Sequence, residues 1–100
     1  MKIGNYTRAV YEYALSARMT KNELRALLAI GDLMWMGIDE AQHSLMLDRR
    51  TVLTSLRGLK DAGYIKVARA ANAPKGICRK YSVTQKGREL IRNFLNTLNN

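Results

Sequence analysis

The run Asp48-Arg49-Arg50-Thr51-Val52-Leu53-Thr54-Ser55-Leu56-Arg57 sets guanidinium groups and hydroxyls side by side. Arginine can donate a pair of hydrogen bonds to a guanine edge or to a phosphate. Threonine and serine hydroxyls bond bases or phosphates, and a threonine methyl can meet the methyl of thymine. Val52, Leu56 and Leu59 recur at the helical period, which predicts a buried stripe and turns Arg50, Thr51 and Thr54 toward the opposite side. Asp48 fits the N-cap of that helix, so Arg49, Arg50 and Thr51 stand at a helix start, where free N–H groups also suit phosphate. Arg49, Ser55 and Arg57 join this set as candidate polyanion contacts.

The charge distribution points the same way. The 100 residues carry 17 Lys+Arg against 8 Asp+Glu, a net charge of +9. From Arg49 to Arg88 there are eleven basic residues against the single acid Asp61, so this stretch is +10 and the remainder is −1. Concentration of all the excess in one contiguous unit is the footprint of a nucleic-acid surface more than of a generally solvated face.

Other chemistries lack their residues. His43 and Cys78 are the only histidine and cysteine, too few for a zinc site without several matching carboxylates. His43 is expected at a surface and Cys78 in a strand interior, although Arg79 and Lys80 beside it could lower a thiol pKa. There is no Gly-rich phosphate loop and no nucleophile–base constellation, so neither an enzyme nor a bound cofactor is expected. A lone cysteine suits a reducing cytoplasm. The first residues have no apolar core of a secretory signal, and the most apolar run, Leu27 to Ile38, is interrupted by Asp32 and too short to span a bilayer. No membrane partner is expected.

The elements that must position the basic run follow from periodicity and punctuation. Without a repeat or a linker rich in Gly, Pro or Ser, the chain reads as one domain over residues 1–100. Tyr6, Val10, Tyr13, Ala14 and Ala17 predict a helix over 5–18. Thr20 and Glu23 fit a capping box opening a second helix that reaches about Met36 and ends at a left-handed Gly37. Its apolar residues, Leu24, Leu27, Leu28 and Trp35 with Ala26, Ile30 and Leu33, cover more than one face, which predicts a central core helix. Asp39 is the expected cap of a short third helix ending near Leu45, and Asp48 caps the fourth, which stops at Gly63. Ile65 and Val67 then alternate with Lys66 and Ala68 as in a half-buried strand. Ala70 to Gly76 reads as a hairpin tip and Ile77 to Val83 as the returning strand. Thr84 caps a last helix whose apolar residues are Leu90, Ile91, Phe94, Leu95 and Leu98. The fold class is mostly α with a small β-hairpin (α+β), in the order α-α-α-α-β-β-α, with two short helices and a tight turn as in a helix-turn-helix.

The run from Asp48 to Ile65 resembles the recognition helix and first wing strand of bacterial winged-helix regulators, closest to the MarR-type transcriptional regulators. Arg79-Lys80-Tyr81-Ser82-Val83-Thr84-Gln85-Lys86-Gly87 is similar to their second wing strand and the Thr-x-x-Gly start of the next helix. Met19 to Ile30 resembles the helix before their helix-turn-helix. The resemblance covers roughly residues 19–92. It implies a dimer on double-stranded DNA, with Arg50, Thr51 and Thr54 toward bases in the major groove and Arg69, Lys75 and Arg79 on the wing, where Lys80 adds a further cation.

The sequence departs from that pattern at three points. Met46 stands where the turn usually has Gly, which predicts a distorted or longer turn. Asn72-Ala73-Pro74-Lys75 replaces the usual Asp-x-Arg pair of the wing. The sequence also ends at Asn100, before the long closing helices of that family. Residues 5–30 followed by a helix-turn-helix also resemble the N-terminal domain of phage replication initiators, which implies origin binding. A winged-helix module for protein or RNA is the third alternative; it is disfavoured because Tyr64 and Tyr81, the aromatics of the basic region, fall at core positions. Surplus apolar residues on the first and last helices predict a homodimer joined through them.

Overall fold

A computed structural model describes residues 3–33, 37–69 and 79–99. In chain order these form α1 (Ile3–Ser16), α2 (Lys21–Leu33), α3 (Ile38–Leu45), α4 (Arg49–Asp61), β1 (Ile65–Arg69), β2 (Arg79–Val83) and α5 (Gln85–Asn99). This is the expected order. Lys75, Cys78 and the whole hairpin tip lie outside the described residues, as does Trp35.

The α2 helix is the axis of the molecule. Thr20 Oγ1 accepts the Glu23 N–H at 3.0 Å, and the Glu23 carboxylate accepts the Thr20 N–H at 2.7 Å. These reciprocal bonds satisfy two of the donors that a helix start leaves open. Leu24, Ala26, Leu27 and Ile30 are all fully buried, because α2 is packed by α1, α3, α4, β2 and α5. A helix apolar on several faces requires such a surround.

Two expectations about Gly37 and Asp39 are corrected. Gly37 is extended (φ −87°, ψ 170°), not left-handed, and it caps α3 in place of Asp39. The helix starts at Ile38, whose side chain packs against the core. That register puts Glu40, not Asp39, where a carboxylate can reach back to the Gly37 N–H, at 3.4 Å.

The corner between α3 and α4 is a compact three-residue turn in spite of its missing glycine. Met46 itself takes the left-handed conformation (φ 55°, ψ 43°), and its N–H and that of Leu47 both return to the Gln42 carbonyl. Its side chain is 89% exposed. The distortion expected here is therefore local backbone strain, of about 1–3 kcal/mol for a non-glycine residue, and the turn is not lengthened.

Beyond α4, Gly63 is left-handed (φ 83°) and ends the helix. The two strands pair antiparallel with Ile65 opposite Val83 and Val67 opposite Tyr81. Ile65, Tyr81 and Val83 are buried. The hairpin is stitched to α5 at its base. Thr84 Oγ1 donates to the Gly63 carbonyl at 2.6 Å and accepts the Gly87 N–H at 3.2 Å, so one hydroxyl caps α5 and ties it to the end of α4. A Cβ on Gly87 would lie 2.3 Å from the Tyr64 carbonyl oxygen and 2.6 Å from Val83 Cγ1. The Thr-x-x-Gly spacing is thus a close-approach requirement.

Phe94 of α5 is fully buried. Its ring meets Tyr13 and Tyr6 of α1 edge-on, with centroids 5.2 Å and 6.4 Å away. Val10 of the first helix and Leu90 and Phe94 of the last, apolar residues on which a helix-to-helix dimer contact could draw, are core residues of a single chain. What stays exposed is smaller: Tyr6, Tyr11 and Leu15 of α1, and Leu95 of α5.

Candidate nucleic-acid interface

The α4 helix presents two faces of opposite character. Val52, Ser55, Leu56 and Leu59 are buried, and Arg49, Arg50, Thr54, Arg57 and Lys60 are exposed. Ser55 was expected among the contacting residues and is corrected here. At 5% exposure it belongs to the buried stripe, three residues after Val52 and four before Leu59, which is the same side of a helix.

The hydroxyls of the outward set are already engaged as donors. Thr51 Oγ1 donates to Asp48 Oδ1, and Thr54 Oγ1 donates to the Arg50 carbonyl at 2.9 Å. Each oxygen retains acceptor capacity and each side chain its methyl, so a base would meet an acceptor or an apolar contact here. Asp48 also accepts the Thr51 N–H as N-cap. The Thr51 hydroxyl, more than any other group, holds its carboxyl below the ordinary aspartate value. Arg49 lies 3.8 Å from Asp39 in a loose, exposed ion pair; Arg50 and Arg57 project from the same outward side.

On the wing the strand register sets Arg69 opposite Arg79 at the hairpin's outer end and Ala68 opposite Lys80. Lys80 is not directed to solvent alone: its ammonium bonds Glu40 Oε1 at 2.6 Å. That hydrogen bond, followed by the Gly37 N–H, holds the Glu40 carboxyl below the usual range. Lys66 is exposed, and Tyr64 is half-buried with Lys86 Nζ 4.6 Å over its ring.

Sequence reasoning missed two groups that orient this surface. Arg25 of α2 donates to the Leu45 carbonyl at 2.9 Å and so satisfies the open end of α3. Lys86 of α5 donates to the Ala62 carbonyl at 2.6 Å and does the same for α4. Both are cations at helix C-termini, where the open carbonyls favour positive charge. The spacing along the chain gives no sign of either.

A second concave feature lies away from α4. Between α2, α5 and the strands opens a cleft of about 790 Å³, with Lys66, Arg88, Arg92 and the carboxylate of Asp32 among its polar lining and Leu28, Ile91 and Leu95 among its apolar lining. The Ser82 hydroxyl lines it too, buried and without a hydrogen-bond partner among the described residues. No cluster of His, Cys, Asp and Glu able to hold a metal occurs among the described residues. No described helix is long and apolar enough to cross a membrane.

No family model and no curated protein matches the sequence. Solved structures do match. A mutant S. aureus MepR bound to an oligodeoxyribonucleotide superposes with a TM-score of 0.84 at 15% identity, over 97% of this chain and 71% of that one. A mutant E. coli MarR complexed with operator DNA gives 0.77 at 16% identity, over 91% and 64%. A Staphylococcus aureus MarR in complex with salicylate and kanamycin gives 0.77 at 16% identity, over 95% and 62%. The chain has the MarR-type winged-helix fold. At these identities the likeness is one of architecture, and the chain spans about two thirds of the length of those MarR chains. Within the MarR-type fold α3 and α4 are the helix-turn-helix, β1 and β2 the wing, and α1, α2 and α5 the helices that carry them.

Proposed function

We propose that this protein binds double-stranded DNA in a sequence-specific manner and regulates transcription as a homodimer, without catalysing a reaction. The observation that carries this reading is the outward face of α4, where Arg49, Arg50, Thr54 and Arg57 are exposed at the second helix of a helix-turn-helix. A helix so placed enters the major groove and reads bases with its N-terminal residues. Two of the matching structures were determined with DNA, which supports the reading. Arg69, Lys75 and Arg79 of the wing would meet the backbone beside the groove.

The homodimer rests on what one chain leaves uncovered: Leu15 at 62% exposure, Tyr11 at 54% and Leu95 at 47%. Pairing through α1 and α5 would cover them and set two α4 helices about one DNA turn apart. Sedimentation equilibrium at micromolar concentration should give twice the chain mass, falling to the monomer in Leu15→Lys or Leu95→Lys. A monomer mass for the wild-type chain would end this part of the proposal.

Selection of bound sites from random duplexes tests the function itself. An inverted repeat supports a two-fold regulator, and direct repeats support an origin-binding role. Each phosphate neutralised should contribute about −0.9 to the slope of log affinity against log salt. A slope near zero would rule out a phosphate-dominated interface.

A further inference from the structure

Asp39 and Glu40, at the start of α3, lie between the two basic elements, and each faces a cation of the proposed interface. The two contacts differ in kind. The Asp39–Arg49 pair is long, at 3.8 Å, with the carboxylate side chain 96% exposed. The Glu40–Lys80 pair is short, at 2.6 Å, with the lysine side chain 34% exposed. The same Glu40 oxygen that holds Lys80 also accepts the Gly37 N–H, the buried cap of α3. One carboxylate oxygen therefore joins the first helix of the helix-turn-helix to the second strand of the wing, forty positions away in sequence.

We infer that Glu40 is a positioning residue that latches the wing to the helix-turn-helix through Lys80, and that Lys80 is therefore a structural cation and not a phosphate ligand. The inference rests on the DNA-binding reading for its consequence, since wing and α4 must reach one duplex together. Apart from this pair, the described hairpin is held mainly at its base, through Ile65, Tyr81, Val83 and the Thr84–Gly63 bond. These contacts lie nearer the base of the hairpin than Lys80 does. Lys80 lies further out along β2 than Tyr81 and Val83, opposite Ala68, where a tie to α3 has leverage over the wing's direction. Arg49, loosely paired and exposed, is free to exchange Asp39 for a phosphate. Lys80 would have to give up a short charge-assisted bond to do so.

The test uses Glu40→Gln, Lys80→Met, their combination, and the charge swap Glu40→Lys with Lys80→Glu. Without DNA, amide hydrogen exchange over Lys80 to Val83 should quicken about two- to five-fold in either single variant, as for loss of a partly exposed ion pair. It should quicken no further in the double variant and should return toward the wild-type rate in the swap. With DNA, hydroxyl-radical footprints should lose wing-side protection in both single variants and keep the major-groove protection of α4. The salt slope should be unchanged in Lys80→Met, whereas Arg57→Ala should flatten it by about 0.9. The latch is overturned if Lys80→Met flattens the slope by one phosphate while Glu40→Gln steepens it, or if exchange over β2 is the same in all variants. Failure of the wild-type protein to bind any duplex would overturn the functional reading instead, and the exchange measurements would still decide the latch.

Discussion

The α4 and α5 helices are built on the same plan and put to different uses. Each buries one apolar stripe, Val52, Leu56 and Leu59 in α4 and Leu90 and Phe94 in α5. Each opens on a hydroxyl or carboxylate cap, Asp48 and Thr84 respectively. Each carries several cations. On α4 the cations and hydroxyls make up most of the outward side, with the half-buried Leu53 as the large apolar residue beside them. On α5 Arg88 and Arg92 share the outward side with Leu95 and the half-buried Ile91. Cation content alone therefore does not distinguish a helix proposed to read DNA from a packing helix. What distinguishes them here is how much apolar surface remains on the side away from the core: Leu53 of α4 is half-buried, whereas Leu95 of α5 is 47% exposed.

That contrast can be broken most forcefully at Phe94. Removing its ring in Phe94→Ala should cost about 3–5 kcal/mol of stability, as for a fully buried aromatic, and thermal or urea unfolding reads it directly. At temperatures where the variant is still folded, its preference among DNA sites should be unchanged. A selective loss of base preference would mean that α5 takes part in recognition. Gly87→Ala attacks the junction of the two helices. The added Cβ must displace the Tyr64 carbonyl or Val83, and overpacking of this kind costs about 1–3 kcal/mol. A variant as stable as wild type would show that the close approach of α5 to the Gly63 turn is not required.

Arg50→Ala should do the reverse of Phe94→Ala. Stability should hold, and discrimination between the best site and a single-base variant should fall by about 1–3 kcal/mol, the value of a bidentate base contact. Equal losses on specific and random duplexes would remove Arg50 from base reading and leave it as a phosphate contact. The smallest effect concerns the cap of α4. The Asp48 carboxyl is held below its ordinary value of 3.8 by the Thr51 hydroxyl. A group whose folded pKa is depressed adds stability that is present above the unfolded value and lost as pH falls through the folded one. Thermal stability should therefore decline on acidification below about pH 4, and Asp48→Asn should flatten that decline. The same sign applies to Glu40 and its tie to Lys80.

Most of the scaffold was legible because it is specified by short-range chemistry. Thr20 with Glu23, Asp48, Gly63 and Thr84 each mark a boundary through hydrogen bonds made within three or four residues. The stripes of α2 and α4 are fixed by helical period. The Ser55 error was avoidable on the same grounds, since its spacing from Val52 and Leu59 already set it on the buried face. Asp39 misled because two adjacent acids compete for one cap, and the choice depends on Ile38 finding the core. The roles of Arg25, Lys80 and Lys86 were not legible at all. Each acts on a group twenty or more positions away, and no local spacing encodes that.

The exposed turn at Met46 gives the molecule a chemical handle. A thioether in open solvent is oxidised by peroxide to a polar sulfoxide, which changes its mass and little else when no buried contact depends on it. Met19, by comparison, is half-buried against the core. Of the two described methionines, mild oxidant therefore marks the one at the corner between α3 and α4 first, and the rate at which that mark is acquired, read by peptide mass, measures whether a partner covers the corner in solution.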